Sequence, residues 1–217
     1  LAQADAVVIG PGLGRKASRP EFVLGVIAAA PGGAALLLDA DGLMAFAGQV
    51  ERLRDALSGR RAVLTPHRGE FRALFPEQAS LAEVDPWGAA EAAAAAVGAA
   101  VLLKGVPTVV AAPDTVTRTI AAGNPGLATG GSGDCLSGLA GAFAAQGLPV
   151  AVAAAVAAVA LGEGGDLAAR RVSARAMRPM DVLAALPDVW RRWDLLRRTP
   201  PPPRPPILHE LPAPMRV

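Results

Sequence analysis

The stretch AVVIGPGLG at residues 6–14 joins a short apolar run directly to a glycine-rich loop. The same arrangement, an apolar run followed at once by glycine or polar residues, recurs at 35–41, 62–70 and 100–105. Helical stretches separate these runs, and continuous apolar runs are typical of strands that are buried on both faces. The alternation predicts an α/β fold in which helices cover a mainly parallel sheet.

The element boundaries follow from these runs and from their turn residues. The predicted strands are Ala6–Ile9, Ala35–Leu38, Ala62–Thr65, Ala100–Lys104, and a hairpin of Thr108–Ala111 with Val116–Ile120 that turns at Pro113-Asp114. The predicted helices are Gly69–Phe75, Trp87–Val97, Asp134–Gln146, Val150–Ala169, and two short terminal helices, Asp181–Leu186 and Val189–Leu196. One domain is expected over 1–198, followed by a proline-rich tail over 199–217.

Composition limits the class of protein. An apolar fraction of 52% with 18% charged residues excludes a disordered chain. The longest apolar run, Val150–Leu161, has 12 residues, whereas a membrane span needs about 20. No signal peptide is evident and the single Cys135 excludes an internal disulfide. We therefore expect a cytoplasmic protein with no membrane partner, and because the chain starts at Leu1 rather than Met we interpret it as part of a longer protein.

The net charge of +2 is unevenly divided. Residues 1–169 carry 11 Lys and Arg against 15 Asp and Glu, whereas residues 170–217 carry 10 against 4. The basic character thus belongs to the C-terminal stretch, and the chain has no Tyr. Nucleic-acid binders place basic residues on a folded face, commonly with aromatic residues among them. We therefore expect no nucleic-acid partner.

The strongest functional signal is the segment Asn124–Asp134, which lies directly before a predicted helix. The glycines at 130, 131 and 133 leave the backbone bare at a helix start, where free N–H groups attract an anion. A carboxylate in that first turn is repelled by a phosphate. The position of Asp134 makes sense if it removes a proton from a hydroxyl that attacks the phosphate; the alternative is that Asp134 only caps the helix.

The other loops carry weaker signals, because each residue has a structural alternative. His67 is either a structural hydrogen-bonder or a binding residue, and the start of the next helix is enough to explain Glu70. Lys104 either snorkels from the end of its strand or places its cation on a phosphate. Asp39 and Asp41 either hold Mg²⁺ through water or start a helix. Cys135 is expected to face the core.

The loop GPGLG at 10–14 has the spacing G-x-G-x-G, whereas the dinucleotide fingerprint is G-x-G-x-x-G. The alternative is a tight strand-to-helix turn. No Walker loop is present in the sequence.

Taken together, these motifs resemble the ADP/ATP-dependent NAD(P)H-hydrate dehydratases of the ribokinase-like superfamily. The likeness extends over residues 5–187. The matching stretches are GPGLGR at 10–15, LLLDADGL at 36–43, LTPHRGEF at 64–71, VLLKGVPTVVAAPD at 101–114, GNPGLATGGSGDCLSG at 123–138 and GEGGDLAA at 162–169. The resemblance implies a ribokinase-like three-layer α/β/α fold.

The resemblance also implies an activity. In this family a nucleotide phosphorylates the ring hydroxyl of hydrated NADH or NADPH, and phosphate then leaves to regenerate the dinucleotide. ADP, or else ATP, is the implied co-substrate, with Mg²⁺, and ADP is our expectation here. Asp134 is the implied base. Gly12, Gly14, His67 and Asp134 are implied to bind the hydrated dinucleotide. The implied nucleotide-binding residues are Lys104, Gly105, Val106, Pro107, Thr108, Asn124, Gly130, Gly131, Ser132 and Gly133.

The sequence departs from the family pattern in three places. Ser132 replaces the usual Thr, and Leu161 stands where the family has a His. The family's N-terminal segment, with its first strand and a loop at the substrate site, has no counterpart here. A fusion to, or cooperation with, an NAD(P)H-hydrate epimerase is expected, as is a homo-oligomer.

Two other functions fit the same motifs. One is a kinase of this fold that acts on a vitamin precursor such as a hydroxymethyl pyrimidine or a thiazole alcohol. The other is a nucleotide-binding domain without catalytic activity.

Overall fold

The computed structural model describes residues 1–14 and 19–199. Six strands form one sheet whose spatial order follows the chain. The strands are β1 (Ala6–Ile9), β2 (Ala35–Leu38), β3 (Arg61–Leu64), β4 (Ala100–Leu103), β5 (Thr108–Ala111) and β6 (Arg118–Ile120). β1 to β4 pair in parallel, and β4, β5 and β6 pair antiparallel. The mainly parallel sheet and its terminal hairpin are therefore confirmed, with strand ends within one or two residues of the prediction.

Nine helices are described within these residues. They are α1 (Arg19–Ala29), α2 (Asp41–Met44), α3 (Val50–Leu57), α4 (Arg68–Leu74), α5 (Leu81–Val84), α6 (Pro86–Val97), α7 (Ser132–Ala145), α8 (Val150–Val172) and α9 (Pro179–Arg198). When adjacent parallel strands also follow one another along the chain, their right-handed crossovers place the connecting helices on the same face of the sheet. α1 to α6 accordingly cover one face, and α7 and α8 cover the other, with α9 packed on α8.

Alternate residues of each strand enter two separate cores. On β2, Leu36 and Leu38 join the core under α1 to α6, whereas Ala35 and Leu37 join the core under α7 to α9. Phe46, Phe71 and Phe75 fill the first core, and alanines of α7 and α8 dominate the second. Small side chains let α7 and α8 lie close to the sheet, which brings the start of α7 to the ends of the strands.

The prediction of two short terminal helices is wrong, because α9 runs unbroken through Pro187. Proline inside a helix costs about 3 kcal/mol. Residues of α9 on both sides of the proline are buried and offset that cost by packing against α8. They are Val182, Ala185, Leu186 and Val189. The predicted tail lies outside the described residues from residue 200 onward.

α8 is long and apolar enough to cross a membrane by length and composition alone. In the fold, 56% of its most apolar window is buried, between the sheet and the neighbouring helices. Core helices of globular proteins meet the same two criteria, so the helix is weak evidence for a membrane span.

Candidate active site

The site lies at the carboxyl ends of the parallel strands, where ligands bind in open α/β sheets. Asp39 directly follows β2 and Lys104 directly follows β4. The first turn of α7 reaches the same place: a Cβ atom built on Gly133 would lie 3.5 Å from Lys104 Nζ and 3.6 Å from an Asp39 carboxylate oxygen. Three segments that are distant in the chain thus meet around one lysine.

A buried charge network surrounds that lysine. Lys104 Nζ donates to Asp39 Oδ1 at 2.8 Å and lies 3.6 Å from Glu70 Oε2. The other carboxylate oxygen of Asp39 accepts from Ser137 Oγ of α7 at 2.7 Å. We call these four residues the Lys104 network. Asp39 is 1% exposed, so the network ties β2, β4 and α7 together in a region that water barely reaches.

The network excludes the snorkelling interpretation of Lys104, and the contact with a phosphate stays a prediction. Its side chain is 21% exposed and turns inward to two carboxylates instead of snorkelling to solvent. The ammonium group therefore stands beside the first turn of α7. Asp39 does not start a helix; Asp41 does, as the first residue of α2, and its Oδ2 accepts from the backbone N–H of Gly14 at 2.8 Å.

Residues 122–133, here called the glycine-rich loop, lead into α7 and include its first two residues. Gly131 is the N-cap of α7 with φ 92°, a left-handed conformation that glycine adopts without strain. Among the described residues, no side chain caps the first turn. Asp134 therefore does not cap the helix; it is the third helical residue and its side chain is exposed. Ser132 N–H donates to the Thr129 carbonyl at 3.3 Å, so an anion at the start of α7 would contact the N–H groups of Gly133 and Asp134.

Ser132 contributes a further polar group at this helix start. Its side chain is buried, and its Oγ has no hydrogen-bond partner among the described residues. Buried hydroxyls normally find a partner.

The second segment predicted to bind nucleotide is the turn that follows Lys104. Thr108 Oγ1 donates to the Gly105 carbonyl at 3.0 Å and so closes this turn, and Val106 projects into solvent at its tip. Asn124 is held differently, because both polar atoms of its side chain are already engaged within the protein. These bonds fix the orientation of the Asn124 side chain, and its contact with the nucleotide stays a prediction.

A cleft of about 300 Å³ opens beside the Lys104 network, lined by Ala40, Asp41, Met44, His67, Gly69 and Glu70. Because Gly14 is bonded to Asp41, the loop after β1 borders this cleft, and the position of a Cβ on Gly12 is open space. The structure thus brings Gly14 and His67 to one side of the site and Gly133 to the other, with Lys104 between them.

The loop after β1 is a tight turn. A Cβ on Gly10 would lie 1.7 Å from the Asp39 carbonyl oxygen, and Leu13 N–H donates to the Gly10 carbonyl. Only glycine fits this contact. The turn interpretation of GPGLG is therefore confirmed.

His67 has a structural role, as one interpretation predicted. Its Nδ1 accepts from the backbone N–H groups of Gly69 and Glu70, and the Glu70 carboxylate accepts from His67 N–H at 2.8 Å. This reciprocal capping box holds the start of α4. The imidazole still borders the cleft, so capping and binding are compatible.

Cys135 lies next to Asp134 and is half-buried against the core under α7 to α9. Burial raises the pKa of its thiol, and the neighbouring Asp134 carboxylate raises it further. The thiol is therefore protonated near neutral pH and packs as a small apolar group, as predicted.

This geometry can be compared with that of known proteins. The profile of the NAD(P)H-hydrate dehydratase family matches residues 1–188. The chain belongs to that family. The site described above, with Lys104 beside the start of α7, is therefore the site of a member of this family.

Two relatives carry related names. The bifunctional NAD(P)H-hydrate repair enzyme of Gloeobacter violaceus is 49% identical over 67% of this chain and 27% of its own length. The ADP-dependent (S)-NAD(P)H-hydrate dehydratase of Neisseria meningitidis is 37% identical over 69% of this chain and 50% of its own length. The chain therefore spans about a quarter to a half of these curated relatives.

Solved structures agree on the fold. The ADP/ATP-dependent NAD(P)H-hydrate dehydratase of Bacillus subtilis, co-crystallised with ATP and Mg²⁺, superposes with a TM-score of 0.75 at 29% identity, over 89% of this chain and 66% of that one. A ribokinase-like superfamily protein of Enterococcus faecalis superposes with a TM-score of 0.71 at 27% identity, over 88% and 64%. The predicted ribokinase-like fold of this family member is confirmed.

Sequence reasoning underestimated the acidic part of the site. Asp39 and Glu70 were ambiguous in the sequence, and Ser137 carried no predicted role. One signal was available: the chain has only two lysines, and Lys104 ends an apolar strand. A lysine there needs a buried counter-charge, which acids that follow nearby strands of the same sheet can supply.

Proposed function

We propose that this domain is an ADP-dependent (S)-NAD(P)H-hydrate dehydratase, which regenerates NADH and NADPH from their hydrated forms. The proposal rests on one observation above all: the uncapped start of α7 presents Gly131 to Gly133 and the exposed Asp134 beside the Lys104 ammonium group. Family membership narrows the substrate, because the family is named for this reaction.

The chemistry assigns a role to each group. The N–H groups at the start of α7 hold the terminal phosphoryl group of the nucleotide, and Lys104 neutralises part of its charge. Asp134 accepts the proton of the ring hydroxyl as that oxygen bonds to phosphorus and AMP leaves. The ring nitrogen lone pair then expels phosphate, which is a better leaving group than hydroxide, and leaves an iminium cation. Loss of a proton from the adjacent ring carbon to water restores the ring double bond. The products are NAD(P)H, AMP and phosphate.

The remaining predicted contacts divide between the two substrates. Gly12, Gly14 and His67 would bind the hydrated dinucleotide from the cleft side. The turn at 104–108 and the glycine-rich loop would bind the nucleotide. The tight turn at Gly105 and Thr108 and the exposed Gly130 support this division, since both leave the backbone open to a ligand.

Mg²⁺ is expected to neutralise phosphate charge in this reaction. The described residues contain no group of three or more His, Cys, Asp or Glu side chains placed to hold a metal. Both carboxylate oxygens of Asp39 are already bonded to Lys104 and Ser137. The ion would therefore enter with the nucleotide, held by phosphate oxygens and water, as Mg²⁺ commonly is.

Partners follow from the same relatives. The bifunctional repair enzymes support a fusion of this domain to an epimerase, or cooperation with one. Cytoplasmic location and a homo-oligomeric state stay predictions, which fractionation and light scattering would test.

The direct test supplies hydrated NADH and ADP to the protein. We expect absorbance at the NADH wavelength to recover and AMP to accumulate in equal amount. Asp134→Asn should lower kcat by about 10²–10⁴-fold, because the hydroxyl loses its base, while ADP still raises the melting temperature.

Other results would redirect the proposal. Phosphorylation of a thiazole or pyrimidine alcohol without NADH recovery would indicate a vitamin-precursor kinase. Thermal stabilisation by ADP without any turnover would indicate a silent nucleotide-binding domain. An Asp134→Asn variant as active as the wild type would contradict the role of Asp134 as the base.

A further inference from the structure

The glycine-rich loop lies directly against α8. A Cβ atom on Gly162 would come within 2.6 Å of the Ala122 backbone, and one on Gly165 would come within 3.0 Å of the Leu127 side chain. These two glycines therefore let residues 122–127 rest on the helix at backbone distance. Neither glycine has a predicted role in binding or catalysis.

Asp166, the next residue of α8, bonds to the start of the loop. Its Oδ1 accepts from Asn124 Nδ2 at 3.0 Å, and its Oδ2 accepts from Gly123 N–H at 3.4 Å. Asn124 Oδ1 in turn accepts from Gly126 N–H at 3.0 Å and caps the 3₁₀ turn Pro125–Leu127. A continuous chain of hydrogen bonds thus runs from the body of α8 into the loop.

The rest of the loop lacks such anchors. Gly130 has open space where a Cβ would be, and a Cβ on Gly131 would meet only Pro179 of α9 among the described residues. A site made of backbone N–H groups works only where the backbone itself is held in place. The anchor before residue 128 and the helix after residue 131 must together fix the N–H groups between them.

We propose that Asp166 is a positioning residue for nucleotide binding: through Asn124 it holds the glycine-rich loop where the loop can accept phosphate. Asp166 does not touch the nucleotide itself. This inference rests on the proposed function, and it adds a carboxylate on α8 to the residues on which nucleotide affinity depends.

The hydrogen-bond pattern provides a sharp test by exchange of the two side chains. In Asp166→Asn alone, one amide N–H group must face a donor, either Gly123 N–H or the Asn124 amide. In Asn124→Asp alone, two carboxylates face each other. In the double variant Asn124→Asp/Asp166→Asn, the amide now on α8 donates to the carboxylate now on the loop and accepts from Gly123 N–H. That carboxylate still accepts from Gly126 N–H, so all three bonds are restored, with the polarity of the bond between the two side chains reversed.

We expect each single variant to raise the KM for ADP about 10-fold and to leave kcat within about 3-fold, because the loop is displaced but Asp134 and Lys104 are not. Amide hydrogen exchange at Gly126 and Leu127 should quicken by a similar factor without ADP. The double variant should recover both values. Asp188→Asn serves as the matched control, since Asp188 pairs with Arg171 and Arg191 away from the loop, and it should change neither.

The other outcomes overturn the inference, the proposed function or both. If the single variants kept the wild-type rate of amide hydrogen exchange and the wild-type affinity for ADP, the loop would not need Asp166. A double variant no better than the singles would show that general packing, not this hydrogen-bond pattern, matters. A wild type that binds ADP by calorimetry but turns over no hydrated NADH would defeat the proposed function alone, because exchange and ADP affinity would still report on the anchor. A wild type that binds no ADP would overturn both.

Discussion

The two sides of the site are built by different means. The glycine-rich loop is placed by close backbone packing on α8 and by neutral or singly charged hydrogen bonds near the surface. The Lys104 network is placed by buried charges that pair across distant strands. Close backbone packing leaves no room for an extra atom, whereas a buried ion pair does not survive the loss of one partner.

This contrast follows from solvation. A charge removed from water is stabilised only while its partner remains, so breaking a buried pair is costly even where the intact pair adds little net stability. A glycine contact has the opposite character: its cost appears when a methyl group is added to a space already filled by backbone. The two sides should therefore respond to opposite kinds of mutation.

The largest stability effect is expected in the Lys104 network. Lys104→Met should lower the free energy of unfolding by about 3 kcal/mol, because Asp39 and Glu70 are left as buried carboxylates without a cation. The double variant Asp39→Asn/Lys104→Met should regain part of that loss, because the amide oxygen introduced in place of the Asp39 carboxylate can still accept from Ser137, while Glu70 stays without a cation. Urea denaturation of the three proteins measures the difference.

An exposed pair on α1 and α3 is the control for this experiment. Arg52 and Glu21 lie 2.8 Å apart with side chains 41% and 66% exposed. Exposed pairs contribute about 0–1 kcal/mol, so Arg52→Met should have little effect. If Lys104→Met cost no more than Arg52→Met, burial would not be what distinguishes the network.

A smaller loss of stability is expected where the glycine-rich loop packs on α8, and its cause is an added atom instead of a lost charge. Gly162→Ala adds a methyl group within 2.6 Å of the Ala122 carbonyl carbon and should destabilise the protein by about 1–3 kcal/mol. Gly138→Ala, on the exposed face of α7, adds the same group where nothing lies within 4 Å. There alanine should stabilise the helix by about 0.8 kcal/mol.

Thermal unfolding of Gly162→Ala and Gly138→Ala separates the effect of packing from that of helix propensity, because helix propensity favours alanine equally at both positions. Opposite signs would confirm that the loop rests on α8 at backbone distance. Equal stabilisation by both substitutions would contradict the contact between Gly162 and Ala122, and would weaken the packing half of the contrast.

The sequence predicted the strands and the loops that follow them because both depend on local signals. Apolar runs such as Ala35–Leu38 mark buried strands, and the glycines before Asp134 mark a helix start open to an anion. These features need no knowledge of distant residues. The same locality explains the error at α9, where Pro187 indicated a break and only the packing on α8 shows continuity.

The Lys104 network could not be predicted in the same way. Asp39 lies 65 residues from Lys104 and 98 from Ser137 along the chain. An aspartate at the end of a strand has the same local sequence whether it faces a metal, water or a lysine. Only the parallel order of β2, β3 and β4 places these groups together, and that order is a property of the whole sheet.

The smallest effect should come from His67, where the capping and binding interpretations can be separated. His67→Ala removes the cap of α4 and should cost about 1 kcal/mol of stability, whereas His67→Asn keeps an N-cap acceptor and should cost almost nothing. If the imidazole also binds the hydrated dinucleotide from the cleft, both variants should raise the KM for that substrate and leave the KM for ADP unchanged. If His67→Asn had wild-type stability and wild-type kinetics, His67 would only cap α4 and would not bind the hydrated dinucleotide. A loss of binding in both variants, with stability lost only in Ala, would show that one side chain holds the helix through Nδ1 and recognises substrate with the rest of its ring.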